Sequence, residues 1–145
     1  MNGRAAERTL TLQLPNRLSV IGETADDIAA FLRGHGVSER AIGHLALALD
    51  EAMTNTIAYA WPEGGAHELT LAIEVADGLV VAVLSDDGIA FDPLEIPPPD
   101  LESSLEDRPI GGLGVHFMTT LMDEVTYRRE GERNVLTLRK RAVAG

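Results

Sequence analysis

From Leu69 to Leu84 the chain keeps returning to apolar side chains on both sides of Asp77-Gly78. Leu69, Leu71, Ile73 and Val75 alternate before it, and the more continuous run Leu79-Val80-Val81-Ala82-Val83-Leu84 follows it. A period of two puts one set of side chains on one face of an extended strand. Asp-Gly between two such runs signals a two-residue hairpin turn, because that turn needs positive φ at both positions. The two runs are therefore antiparallel neighbours in a sheet, the second the more fully buried. Two more segments carry the same signature. Leu10, Leu12 and Leu14 alternate with Thr9, Thr11 and Gln13; Val125-Thr126-Tyr127 leads through a turn around Glu130-Gly131-Glu132 into Val135 to Lys140.

Helical spacing occurs between the first strand and the hairpin. Thr24 with Asp27 has the form of a capping box, and Ile28, Phe31 and Leu32 then recur at helical spacing until Gly34 and Gly36. Ser38 is placed to cap a longer helix from about Glu39 to about Ala60, which no proline interrupts before Pro62. Its apolar stripe is Ile42, Leu45, Leu49, Met53 and Thr56. On a helical wheel Glu51 falls opposite that stripe, and Asn55 lies one turn further on in the same direction. Between Ala41 and Ala60 the only charges are Asp50 and Glu51, with Leu47 and Ala58 flanking Glu51. A solvated face normally carries more charge, so this second face is also expected to be covered, by the wall of a pocket.

Segment 91–110 differs in character: it holds five of the seven prolines and six acidic residues, with Arg108 its single basic one. Such a loop inside a compact chain is functional or disordered. Gly111-Gly112-Leu113-Gly114 follows, and Val115, Phe117, Met118, Leu121 and Met122 then give a helix of about ten residues whose free N–H groups face the glycines.

Charge and length narrow the function. The 145 residues, 45% of them hydrophobic, suit one domain spanning 1–145, and the formal charge of −11 disfavours nucleic acid and anionic membrane as direct partners. With no cysteine, no apolar h-region at the N-terminus and no long apolar run, the expected location is the cytoplasm. An acidic chain that binds a polyphosphate needs a divalent cation and backbone N–H donors to offset the repulsion.

Three segments offer chemistry. Glu51 can act as a general base and the Asn55 amide oxygen can ligate Mg²⁺; the same pair also fits a plain helix surface. Asp86, at the end of an apolar strand in Asp86-Asp87-Gly88, can accept a hydrogen bond from a purine's exocyclic amine, or simply close a turn. The glycine run lacks the Lys-Ser/Thr of a P-loop and does not complete G-x-G-x-x-G, yet it lets backbone approach phosphate, or serves as a hinge. The four histidines show no metal-ligand spacing, and Ser103 and Ser104 have no paired base.

Asp50-Glu51-Ala52-Met53-Thr54-Asn55, then Asp86-Asp87-Gly88-Ile89-Ala90-Phe91-Asp92-Pro93, then Arg108-Pro109-Ile110-Gly111-Gly112-Leu113-Gly114 together resemble the three ATP-site boxes of the gyrase, chaperone, histidine-kinase and mismatch-repair ATPase superfamily. Within it the chain is most similar to the single-domain anti-sigma factor serine-protein kinases. The resemblance implies an α+β fold of the Bergerat type: a two-layer α/β sandwich with helices on one face of a mixed, mostly antiparallel sheet. It implies Glu51 as catalytic base, Asn55 as Mg²⁺ ligand and Asp86 as the adenine contact, with Gly88 allowing close approach to the base. Gly111, Gly112, Leu113 and Gly114 would line the phosphates, Arg108 would reach them, and 91–110 would form an ATP lid. Ala90 stands where the family usually has a second glycine. The implied activity is transfer of the ATP γ-phosphoryl group to a serine of a STAS-domain anti-anti-sigma partner, with a sigma factor as second partner and a homodimer as possible assembly. The alternative is a catalytically inactive nucleotide-binding regulatory module that sequesters a protein partner.

Overall fold

The computed structural model of the chain describes residues 8–95 and 118–142. Five strands form one sheet: β1 (Thr9–Pro15), β2 (Glu68–Ala76), β3 (Leu79–Asp86), β4 (Glu124–Glu130) and β5 (Arg133–Arg141), in spatial order β1-β2-β3-β5-β4. The sheet expected to be mostly antiparallel is antiparallel in all four described pairings. The β2–β3 hairpin turns at Asp77 (φ 54°) and Gly78 (φ 78°), the two positive values its sequence calls for.

Two helices pack on the sheet, α1 (Ser19–Gly34) and α2 (Glu39–Tyr59). Their buried residues, Ile28 and Leu32 with Leu45, Leu49 and Met53, join Leu69, Leu71, Ile73, Val80, Ala82, Leu84, Leu136 and Leu138 in one core. Contact with the opposite layer explains the alternation in β3, where Val80, Ala82, Leu84 and Asp86 are buried in turn. Residues 118–121 are helical, and Met118 and Met122 enter the same core. The start of the helix expected after the glycines lies outside the described residues, as does the lid beyond Glu95. No helix among the described residues is long and apolar enough to cross a membrane.

Helix α1 departs from its expected start. It begins at Ser19, after Leu18, which makes no side-chain cap, so Thr24 lies inside it. The Thr24 hydroxyl donates to the Val20 carbonyl at 2.9 Å instead of capping an end. A threonine buried in a helix satisfies its hydroxyl in this backward way, and from sequence that looks like a cap.

Helix α2 is fixed at both ends. Ser38 Oγ accepts from Ala41 N at 3.1 Å, while Ser38 N donates to the Ala142 carbonyl and Ala142 N to the Gly78 carbonyl, at 2.9 and 2.8 Å. At the other end, Ile89 N donates to the Ala60 carbonyl at 2.9 Å. The helix therefore spans the sheet from the β2–β3 hairpin to the loop after β3. Replacing Ser38 by Ala removes a cap and is expected to lower stability by about 1 kcal/mol in urea unfolding, with an unchanged m-value.

Candidate functional site

The carboxylate of Asp86 ends β3 on the helix-covered side of the sheet and is only 4% exposed. Two groups donate to its Oδ1, Gly88 N at 2.8 Å and Asn134 Nδ2 at 2.9 Å. Asn134 lies directly across in β5, in register with Asp86. Neither bond uses Oδ2, so one carboxylate oxygen keeps its accepting capacity for a ligand donor. Burial pushes the Asp86 carboxyl above the usual carboxylate range, against the lowering effect of these two hydrogen bonds.

Asn134 is a node that sequence reasoning missed. Besides Asp86, its Nδ2 donates to the Ile89 carbonyl at 2.7 Å, and its Oδ1 accepts from Tyr127 Oη at 2.6 Å, Arg129 Nη1 at 3.1 Å and Phe91 N at 3.2 Å. Arg129 Nη1 also donates to the Gly88 carbonyl at 2.8 Å. One buried amide thus holds the whole loop from Asp86 to Phe91 against β4 and β5. The available signal was a polar residue opening the apolar run Val135-Leu136, opposite the strand end that carries Asp86.

Gly88 is required by packing within the protein itself. A Cβ there would meet the Ala60 carbonyl oxygen at 2.4 Å and the Ala60 Cβ at 2.5 Å. The end of α2 fills that space, so the close approach is between helix and loop within the protein. Ala90, in the position of the second glycine, is exposed.

On α2, Glu51 is half-buried and Asn55, one turn further, is completely buried. Neither Asn55 Oδ1 nor Nδ2 has a hydrogen-bond partner among the described residues. A buried amide normally pairs, because leaving it dry and unbonded costs about 1–3 kcal/mol. The other such atom among the described residues is His44 Nδ1, on a ring whose pKa is lowered by burial and by Lys140 and Arg40. Burial raises the Glu51 carboxyl above its ordinary value, and the negative charge of Asp50 adds to the effect. The covering expected for the second face is incomplete at its N-terminal end, where Asp50 is exposed and Leu47 is 49% exposed. Tyr59 and Phe91, with ring centroids 5.1 Å apart, join the end of α2 to the start of segment 91–110.

The structure places Glu51 and Asn55 on successive turns of α2, and Asp86 and Gly88 at the end of β3 and in the loop after it, with Gly88 against Ala60 at the end of α2. Arg108, Gly111, Gly112, Leu113 and Gly114 lie outside the described residues. No group of three or more His, Asp or Glu side chains able to hold a metal occurs among the described residues. A metal here would take the neutral Asn55 oxygen and fill its shell with water and ligand oxygens, a donor set that suits Mg²⁺.

Comparison with known proteins gives the family. The sequence pattern of the histidine kinase-like ATPase domain matches residues 14–140, and the chain belongs to that family. It is 32% identical over 133 residues to the serine-protein kinase RsbW of Listeria monocytogenes, covering 88% of this chain and 85% of that one. It is 31% identical over 137 residues to the serine/threonine-protein kinase BtrW of Bordetella bronchiseptica, covering 92% and 94%. In fold it resembles the crystal structure of the RsbU and RsbW domains of a Mycobacterium tuberculosis protein, with a TM-score of 0.64 and 17% identity. That match covers 92% of this chain and 32% of the longer one.

The raised Asp86 pKa has a testable sign. Its ionised form is disfavoured in the fold, so ionisation opposes stability once the pH exceeds the unfolded value of about 3.9, and the full cost is present above the folded pKa. Asp86→Asn, which keeps an acceptor for Gly88 N and Asn134, is expected to melt at the same or a higher temperature near neutral pH. Near pH 3 it gains nothing over wild type, and it loses nucleotide binding. Thermal melts at the two pH values with nucleotide titration check this.

Proposed function

We propose that the chain is an ATP- and Mg²⁺-dependent serine-protein kinase of the anti-sigma type, acting on a serine of a STAS-domain anti-anti-sigma protein. The observation that carries the reading is Asn55, an amide completely buried without a hydrogen-bond partner among the described residues, one helical turn from a carboxyl whose pKa is raised. A buried amide of this kind calls for a partner from outside the protein, which a ligand or its metal supplies in this reading. The serine-protein kinases RsbW and BtrW, which this chain resembles over most of their length, support the same activity.

In this mechanism Asp86 accepts the adenine amine through Oδ2, positioned by Asn134 and the Gly88 amide. The Asn55 carboxamide oxygen would hold Mg²⁺, which when bound neutralises the phosphate oxygens. Glu51 receives the proton of the attacking serine hydroxyl as its oxygen bonds to the γ-phosphorus and ADP leaves. A carboxyl whose pKa is raised is a stronger base than an ordinary glutamate, which suits this role. The family match over 14–140 supports reading the chain as one ATPase domain, with 91–110 as its lid and Arg108 and Gly111 to Gly114 at the phosphates.

Phosphorylation adds about −1.5 to −2 charges to the partner serine, and the chain carries −11. Repulsion then releases the product and frees the kinase surface for a sigma factor.

Glu51→Gln is expected to lower phosphate transfer from ATP to the STAS protein by about 10²–10⁴-fold, with ATP affinity within a few-fold of wild type. In wild type the rate should fall on acidification with a midpoint above the ordinary glutamate value of about 4.3. Radiolabel transfer measured across a pH series reads both. Absence of any transfer by wild type to its cognate STAS protein would favour the sequestering module instead.

A further inference from the structure

A cleft of about 560 Å³ lies against Asp87, Gly88 and Ile89, and Glu51, Asn55 and Asp86 are not among its lining residues. It runs between the segment after α2 and the β4–β5 turn. Trp61 and His67 form one wall as a stacked pair, ring centroids 4.9 Å apart and planes within 3°. Trp61 Nε1 donates to Asp87 Oδ1 at 3.3 Å, which fixes the indole against the loop. Ile89, 53% exposed, adds an apolar edge.

The charges of the cleft are uneven. Glu63, Asp87 and Glu132 line it beside a single cation, Arg129. The Arg129 guanidinium is committed to the protein, donating to the Gly88 and Gly131 carbonyls and to Asn134. Glu63 and Glu132 are exposed and have no hydrogen-bond or ion-pair partner among the described residues. A phosphate or carboxylate ligand would be repelled by this rim, and the donors do not form a metal group.

We infer that the cleft is a docking groove for a basic side chain, arginine or lysine, of the protein partner. The cationic head meets Glu63 and Glu132 while its stem and face lie along Trp61, a combination of charge complementarity and cation–π attraction. The size suits one or two side chains and not a globular contact. The choice of a protein occupant rests on the kinase reading; the preference for a cation rests on the cleft alone. Because Gly88 and Ile89 form its wall, a docked partner bears on the loop whose Gly88 amide donates to Asp86.

Trp61 is the chain's single tryptophan, so its emission reports the cleft directly. The full chain is titrated with hexa-arginine and with hexa-glutamine peptides. The arginine peptide is expected to change the emission saturably, and Glu63→Lys with Glu132→Lys to weaken it by about tenfold or more. Asp26→Lys with Asp27→Lys, the same charge change on exposed residues of α1, should weaken it far less. All variants should bind ATP as wild type does without peptide. Equal responses to the two peptides, or equal weakening by the two double variants, overturns the groove. A chain that responds to arginine yet phosphorylates no STAS protein keeps the groove and loses the kinase reading; a chain that phosphorylates without the arginine response does the reverse.

Discussion

Everything at the site depends on how α2 is held across the sheet. Its apolar stripe is buried along most of its length, and its two ends are tied by backbone hydrogen bonds to the sheet, Ser38 to Ala142 and Ala60 to Ile89. A helix clamped in this way cannot rotate without exposing Leu45, Leu49 and Met53, side chains worth about 1.5–3 kcal/mol each when buried. Asn55 is consequently held inward, on the turn after Glu51. The same clamp seats Ala60 against Gly88, so the position of the loop after β3 is set by the helix that carries Glu51.

The second fixed point is electrostatic. Asp86 is a buried acid held by Asn134 and the Gly88 amide, and Asn134 is itself oriented by Tyr127 and Arg129. Such a network holds one carboxylate oxygen and leaves the other available, which presents a ligand with a prepared acceptor instead of a solvated one. Arg129 has a share in both faces of the loop, since it supports Asn134 inside and lines the outer cleft.

Much of this could be read from the residues. The Asp77-Gly78 hairpin, the Ser38 cap and the alternation ending at Asp86 are local signals, and each was realised because local propensity and tertiary packing agree. The misreadings have the opposite cause. Thr24 resembles a cap because its hydroxyl can satisfy itself either at a helix end or within the preceding turn, and only packing decides. Asn134 is silent in the sequence because its importance comes from register, 48 residues away from Asp86. Gly88 was visible as a special position, and its contact with the Ala60 carbonyl is one that no periodicity discloses.

The central claim is that Asn55 is kept unpaired for a nucleotide-bound metal. Thermal melts of wild type and Asn55→Leu, each with and without Mg-ATP, address it directly. Without ligand, the leucine variant removes an uncompensated buried amide and should be at least as stable as wild type, by up to about 1–3 kcal/mol. Mg-ATP should raise the wild-type melting temperature and leave that of the variant unmoved. A variant that is less stable than wild type on its own and still gains from Mg-ATP would show that the Asn55 amide serves the fold and not the ligand.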